Sequence, residues 1–402
     1  MRGRLLLLLL GIAVGVLAGE AASRMGERVG CRDYTDWFWE RNPFYGWGHK
    51  PDARGWAQRC LGGKPEWRTY TSINSHGLRD REIPYERQGA FRILVLGDSF
   101  TEGQQVDQDH TFVKLLERQL NAEAGGPPAF EVINGGVSAW GTDNELLFFR
   151  NEGWKYHPDL VLLAFNTGND VLENDQPLMR ATDFPYLDKP YFELNGSHLV
   201  LRRFPLPRER LLGRVRDFVR NALARHSALY RLAAALRLPR VARPADAAPA
   251  PPGPTRPIEV YLRDYPEPWR EAWRITRGLV LRLRREVEAR GGRFAAVVIN
   301  GREEVSPGRL QWQLALHPEL QAYTLDVDKP NRLITQFLAR RGIPAVALLD
   351  DFRARFGKAG TPGFYEWDIH WAPAGHELAA QVIGRRLREL GLVPVAARPS
   401  RE

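Results

Sequence analysis

Only two cysteines, Cys31 and Cys60, stand in this 402-residue chain, and only seven of its 57 basic residues are lysine. No grouping of His, Cys, Asp and Glu has the spacing of metal ligands, so no metal and no other cofactor is expected. A Gly-x-x-x-x-Gly-Lys run is missing, which excludes a phosphate-cradling loop of that type. Zinc-finger spacing, an aromatic RNA-binding strand and a helix-turn-helix are missing too, so no nucleic-acid partner is expected despite a net charge of +9. That charge is mostly arginine. It admits an anionic membrane surface or an acidic polysaccharide as partner, against the plainer reading of an arginine-rich composition. With 44% hydrophobic residues and no internal repeat, the chain can bury the core of one large domain or two ordinary ones.

Arg2 and Arg4 precede Leu5 to Gly19, fifteen residues without a charge, and Glu20-Ala21-Ala22-Ser23 follows. This is the layout of a secretory signal, and the run falls just short of the roughly 17–25 residues that span a bilayer. Residues 1–30 are therefore expected to be a signal peptide, with Val16-Leu17-Ala18 as a cleavage context, or an uncleaved membrane anchor. Either way the arginines stay inside and the remainder is extracytoplasmic: periplasmic, secreted, or anchored facing out. In such an oxidising compartment Cys31 and Cys60 can pair, stabilising by about 3 kcal/mol; two separate buried thiols are the alternative. Neither has the basic surroundings of a catalytic thiol.

Residues 31–90 are aromatic and turn-rich, with Trp37-Phe38-Trp39 and Phe44-Tyr45-Gly46-Trp47, and read as an extension of short strands and loops. Its rings either line a carbohydrate groove or pack the extension on the main domain. From residue 91 to 395 the pattern alternates. Apolar runs at Ile93–Leu96, Phe130–Ile133, Leu160–Phe165, Phe294–Ile299 and Ala345–Leu349 suit strands buried on both faces of a parallel sheet. Helical spacing marks Thr111–Asn121, Asp143–Glu152, Pro268–Ala289, Asn331–Arg341 and Ala374–Leu390. This alternation predicts an α/β fold, a three-layer α/β/α sandwich on five parallel strands. An insertion spans about 176–257, with a basic helical stretch Leu211–Leu238 and an Ala/Pro-rich linker Ala242–Pro257. The helix caps the site, lies on a membrane surface or docks on the core.

Gly97-Asp98-Ser99-Phe100 follows the first strand, Asn134-Gly135-Gly136-Val137 the second and Gly168-Asn169-Asp170 the third, while Asp368-Ile369-His370-Trp371 precedes the last helix. Ligands in such sheets bind at the carboxyl ends of the strands, where three of these motifs fall. Serine needs a base within hydrogen-bond reach, and His370 has a carboxylate, Asp368, two residues away. Glu366 or Asp350 could replace Asp368 as the orienting group, and His376 reads as structural. Asp98 and Asp170 read as loop-holding acceptors of backbone hydrogen bonds. The nucleophile elbow Gly-x-Ser-x-Gly is not formed, because Thr101 occupies the second glycine position.

These four blocks resemble the SGNH (GDSL-type) hydrolase superfamily, whose Ser, Gly, Asn and His map onto Ser99, Gly136, Asn169 and His370 in the family's order, over roughly Phe91 to Leu390. The resemblance implies a flavodoxin-like sheet and a serine esterase. Ser99 would be the nucleophile, His370 and Asp368 would complete a triad, and the Ser99 N–H, Gly136 N–H and Asn169 amide would form the oxyanion hole. Two departures stand out: GDSF for GDSL, and Asp-x-His-Trp for the commoner Asp-x-x-His. The second is similar to polysaccharide O-acetyltransferases. The expected reading is an exported esterase acting on an acyl ester, with an acylated polysaccharide as substrate. The alternatives are a polysaccharide O-acetyltransferase, a lipid-directed esterase and a non-catalytic envelope-anchored binding protein.

Overall fold

In chain order the strands are β1 (Trp39–Asn42), β2 (Gly46–His49), β3 (Arg54–Leu61), β4 (Lys64–Ser72), β5 (Phe91–Gly97), β6 (Phe130–Gly136), β7 (Leu160–Asn166), β8 (Tyr191–Asn195), β9 (His198–Arg202), β10 (Arg293–Ile299) and β11 (Ala345–Ala347). The helices are α1 (Ser99–Glu102), α2 (Phe112–Glu123), α3 (Thr142–Asn151), α4 (Asp170–Glu173), α5 (Gln176–Arg180), α6 (Glu267–Glu288), α7 (Arg302–Val305), α8 (Pro307–Leu316), α9 (Lys329–Arg340), α10 (Leu349–Phe356) and α11 (Pro373–Glu389). The computed structural model describes residues 38–394 without 62, 125–128, 181–188, 197, 203–226, 228, 230–256, 317–320 and 359–362, together with 11, 13–23, 25, 31 and 33.

The five apolar runs form one parallel sheet in the order β11-β10-β7-β5-β6. Because side chains alternate along a strand, each face takes every second residue. Leu94, Leu96, Val161, Leu163, Ala296 and Val298 pack with Leu146 of α3, Leu279 and Leu283 of α6 and Ile334 of α9. Ile93, Val95, Leu160, Leu162 and Val297 pack with Leu116 of α2, Phe352 of α10 and Ile383 and Leu387 of α11. That is the expected three-layer α/β/α sandwich. The second strand in sequence lies outside the first and the third lies on its other side, so β5 and β7 flank the point where the winding reverses and a crevice opens.

The helices fall within two residues of their expected ends, and Thr111 caps α2 by accepting from Lys114 N. One run was assigned too far: Leu349 opens α10, whose Asp350 and Asp351 favour a helix N-terminus. The insertion holds α5 and the antiparallel hairpin β8–β9, which its sequence did not announce. The stretch Leu211–Leu238, apart from residues 227 and 229, and nearly all of 242–257 lie outside the described residues, as do residues 1–10 and 12. Residues 13–23 are helical, and no helix among the described residues is long and apolar enough to cross a membrane.

The chain divides into two compact units. One comprises residues 1–34, 58–67 and 205–250, and in it Cys31 and Cys60 are joined by a disulfide across a Cα–Cα distance of 5.6 Å. The other contains the sheet, and residues 35–57 and 68–90 belong to it.

At the amino end of β5 the Arg92 guanidinium is fully buried. It pairs with Glu131 at 2.8 Å and donates to the carbonyls of Pro84, Tyr85, Glu86 and Tyr156 at 2.8–3.0 Å. A buried charge is tolerated only when so fully bonded. Arg92→Met should therefore strand Glu131 and four carbonyls and cost about 3–5 kcal/mol of unfolding free energy, read from the denaturant midpoint. A loss below about 1 kcal/mol would show that the network does not pin this end of the sheet.

Candidate active site

β5 ends at Gly97, where any Cβ would meet Thr101 Oγ1 and stand 3.1 Å from Ala164 Cβ, so the chain can turn tightly into α1 only with glycine there. Asp98 caps α1: its Oδ1 accepts from Phe100 N at 2.9 Å, and its Oδ2 accepts from Asn166 Nδ2 at 2.8 Å and Asn169 Nδ2 at 3.1 Å. Asp170 accepts from Asn166 N at 3.0 Å. Both acids thus hold the loops, as their positions predict.

Ser99, half-buried at the start of α1, places Oγ 2.6 Å from Nε2 of His370. The other ring nitrogen, Nδ1, bonds Asp368, whose carboxylate also accepts from His370 N at 3.1 Å. Asp368 is buried, whereas Glu366 and Asp350 are exposed. The short Asp-x-His spacing works because the chain is fixed on either side. Tyr365 N donates to His370 O at 3.1 Å, and the buried Trp371 ring packs among Phe100, Phe112 and Phe352 at centroid distances of 5.0–5.8 Å. Burial lowers the His370 pKa, but Asp368, with Asp98 and Glu102, more than offsets this and leaves it above its ordinary value. His376 is also buried, and burial drives it down to about 3; its Nδ1 accepts from Phe112 N at 3.2 Å, a structural role.

The three expected oxyanion donors differ. Among the described residues no hydrogen bond uses the Ser99 N–H. The Gly136 N–H, by contrast, already donates to Asn134 Oδ1 at 3.0 Å. Glycine is also needed there for packing, since a Cβ would stand 2.6 Å from Thr101 Cβ and closer still to Glu102 N. Asn169 Nδ2 faces two carboxylates, Asp98 and, at 3.0 Å, Glu173 Oε1.

A second polar centre gave no signal in the sequence motifs. Glu102, buried at the end of α1, accepts from Ser138 N at 2.6 Å, from Ser138 Oγ and from Trp39 Nε1 at 3.3 Å, and lies 3.2 Å from His49 Nε2. Burial raises its pKa, but His49 and Ser138 outweigh this and hold it below the ordinary carboxylate range. Trp47 Nε1 donates to Ser138 O, and Trp140 Nε1 donates to Trp47 O, each at 3.0 Å. The hairpin β1–β2 therefore clamps the loop that follows β6. Ala139 in that loop is held at φ 60°, a left-handed conformation costing a non-glycine residue about 1–3 kcal/mol. Trp47 is buried, so in this hairpin its ring packs the core instead of lining a groove.

The model of the GDSL-like lipase/acylhydrolase family matches residues 95–378, and the chain belongs to that family. No curated protein matches it. Among solved structures it is similar to a catalytic mutant of Axe2, an acetylxylan esterase from Geobacillus stearothermophilus, with 15% identity, 78% of this chain and 100% of that one covered, and a TM-score of 0.39. It is also similar to the psychrotrophic esterase EstA from Pseudoalteromonas sp. (12% identity, 75% and 100% covered, TM-score 0.37). A third is the lipase/acylhydrolase from Enterococcus faecalis (14%, 74% and 96%, TM-score 0.33). Family membership makes the chain an ester-hydrolysing enzyme.

Gly136→Ala should push α1 away from β6 and shift Ser99 from His370. A displacement near 1 Å costs on the order of 100-fold in turnover of a chromogenic ester. Activity within about twofold of wild type would show that α1 accommodates the methyl group freely.

Proposed function

We propose that the chain is an exported serine esterase that removes an acyl group from a carbohydrate. The observation carrying the reading is the Asp368–His370–Ser99 chain of hydrogen bonds, with 2.6 Å between His370 Nε2 and Ser99 Oγ. Ser99 Oγ attacks the acyl carbon as its proton passes to His370 Nε2, and Asp368 stabilises the resulting imidazolium. The Ser99 N–H and the Asn169 amide meet the oxygen that gains charge, each donor worth about 3–4 kcal/mol. His370 returns the proton to the departing alcohol, and water, activated by the same imidazole, releases the acid.

A carbohydrate substrate is supported by the rim of the last block. Trp367 and Ile369 alternate with Asp368 and His370 and are 44% and 49% exposed. Trp312 of α8 meets Trp367 edge to face at 6.1 Å. Flat exposed rings beside a reacting centre suit the apolar face of a sugar. A second reading rests on the Asp-x-His-Trp spacing: a sugar hydroxyl in place of water would accept the acyl group, making the chain a polysaccharide O-acetyltransferase. Supplying an oligosaccharide acceptor separates the two by whether the acyl group appears on sugar or as free acid. Export is supported by the N-terminal sequence and by the Cys31–Cys60 disulfide.

A fluorophosphonate should label the wild-type protein and fail to label Ser99→Ala and His370→Ala, with ester turnover down at least about 1000-fold in each. Labelling of a folded Ser99→Ala protein would remove Ser99 as nucleophile. A C-terminal reporter active only outside the cytoplasm should be active when fused to the full chain; a silent, well-expressed fusion would argue against export.

A further inference from the structure

Beneath Ser99 lies a set of buried acids that the reaction as described does not use. Asp98 closes β5, Asp143 and Glu145 lie on α3, and Asp170 and Glu173 lie on α4, all buried. Among the described residues one lysine, Lys189, enters the set and bonds Asp143 at 2.7 Å and Asn144 Oδ1 at 2.6 Å. Both carboxylate oxygens of Glu145, one of Asp170 and one of Glu173 have no hydrogen-bond partner among the described residues. Five carboxylates around one ammonium cannot all be ionised in a dry interior.

Glu173 is the member that touches the site. Its Oε1 takes one amide hydrogen of Asn169 at 3.0 Å while Asp98 takes the other at 3.1 Å. The Asn169 amide can serve an oxyanion only by releasing one of them, and an ionised carboxylate holds such a hydrogen about twice as strongly as a neutral one. We propose that Glu173 is a positioning residue that frees the Asn169 amide for the oxyanion while its carboxyl is neutral and withholds it when ionised. An ionised Glu173 also sets a negative charge near the oxygen that becomes negative in the transition state. Both effects act in the same direction.

Burial, reinforced by Asp98, pushes the Glu173 carboxyl up to about 8, with Lys189 and Asn169 pulling the other way and Asp143 adding to the rise. Glu145 from α3, Asp170 from its own helix and the Tyr191 hydroxyl from β8 also face it. Helix α6 presents the neutral Thr276 to Asn174 there, while Glu271 acts on Asp175. Neutral Glu173 is therefore the form below that value, and activity is lost as pH rises through it. On the acid side His370, held above its ordinary value, must lose its proton to act as base. The two groups enclose a narrow working range.

The inference rests on Ser99 as nucleophile, so Ser99→Ala is measured in parallel with p-nitrophenyl acetate from pH 6 to 10. With the carboxyl near 8, wild-type kcat should fall about tenfold from pH 7 to pH 9 with KM little changed, because the oxyanion exists only in the transition state. Glu173→Gln, and Glu173→Met as an apolar isostere, should keep their own pH 9 to pH 7 ratio within about twofold and retain the acid limb. A wild type with no alkaline fall, or variants that keep it, would overturn the role of Glu173 while an inactive Ser99→Ala leaves the nucleophile in place. Wild-type turnover by Ser99→Ala would remove both.

Discussion

Asp98 ties Ser99 to the rest of the sheet. Its carboxylate is removed from water at the end of β5, and that desolvation raises its pKa against donors from Phe100 N, Asn166 and Asn169. One oxygen caps the Ser99 helix and the other reaches the loop after β7. The ends of the two strands that border the crevice are thereby fixed to each other. Without this bond the serine and the third block would be neighbours in the fold with no set distance between them.

The same logic extends outward. Glu102, three residues past Ser99, fastens the other side of α1 to the loop after β6, and β1–β2 fastens that loop in turn through Trp47. Trp371 does for His370 what Asp98 does for Ser99, since its buried ring fixes the chain next to the imidazole. Ser99 and His370 are half-buried, yet each has a buried immediate neighbour, Asp98 and Trp371, that fixes the chain beside it. A bonded Ser–His pair at 2.6 Å is the outcome of three such anchors.

A concentration of buried acid beneath an oxyanion site looks unfavourable, because like charges oppose the charge that catalysis creates. Protonation resolves the conflict. Dry surroundings raise the pKa of each of these carboxyls, and a neutral carboxyl can fill space and share hydrogen bonds without a repelling field. The arrangement joins stability to function through one variable, the proton occupancy of the cluster.

The apolar runs made the sheet legible, and the short motifs after β5 and β7 and before α11 made Ser99, Asn169, Asp368 and His370 legible, because strand burial and nucleophile activation both leave local marks. Gly136 was legible as a required glycine, but only the packed structure shows its N–H bonded to Asn134 and the space of its missing side chain filled by α1. His49, Trp47 and Glu102 carry no mark, since their partners stand up to about ninety residues away in the chain, and Glu173, four residues from Asn169, is marked only by the burial that the fold imposes. Hydrophobic periodicity and motif spacing are properties of neighbouring residues, so the sequence by itself determined the layers, the strand assignments and the candidate set Ser99, His370 and Asp368 that the fold brings together. Which carboxylates lose their water, which N–H groups stay free and which loops are clamped depend on contacts between distant segments. Those the tertiary structure alone decided.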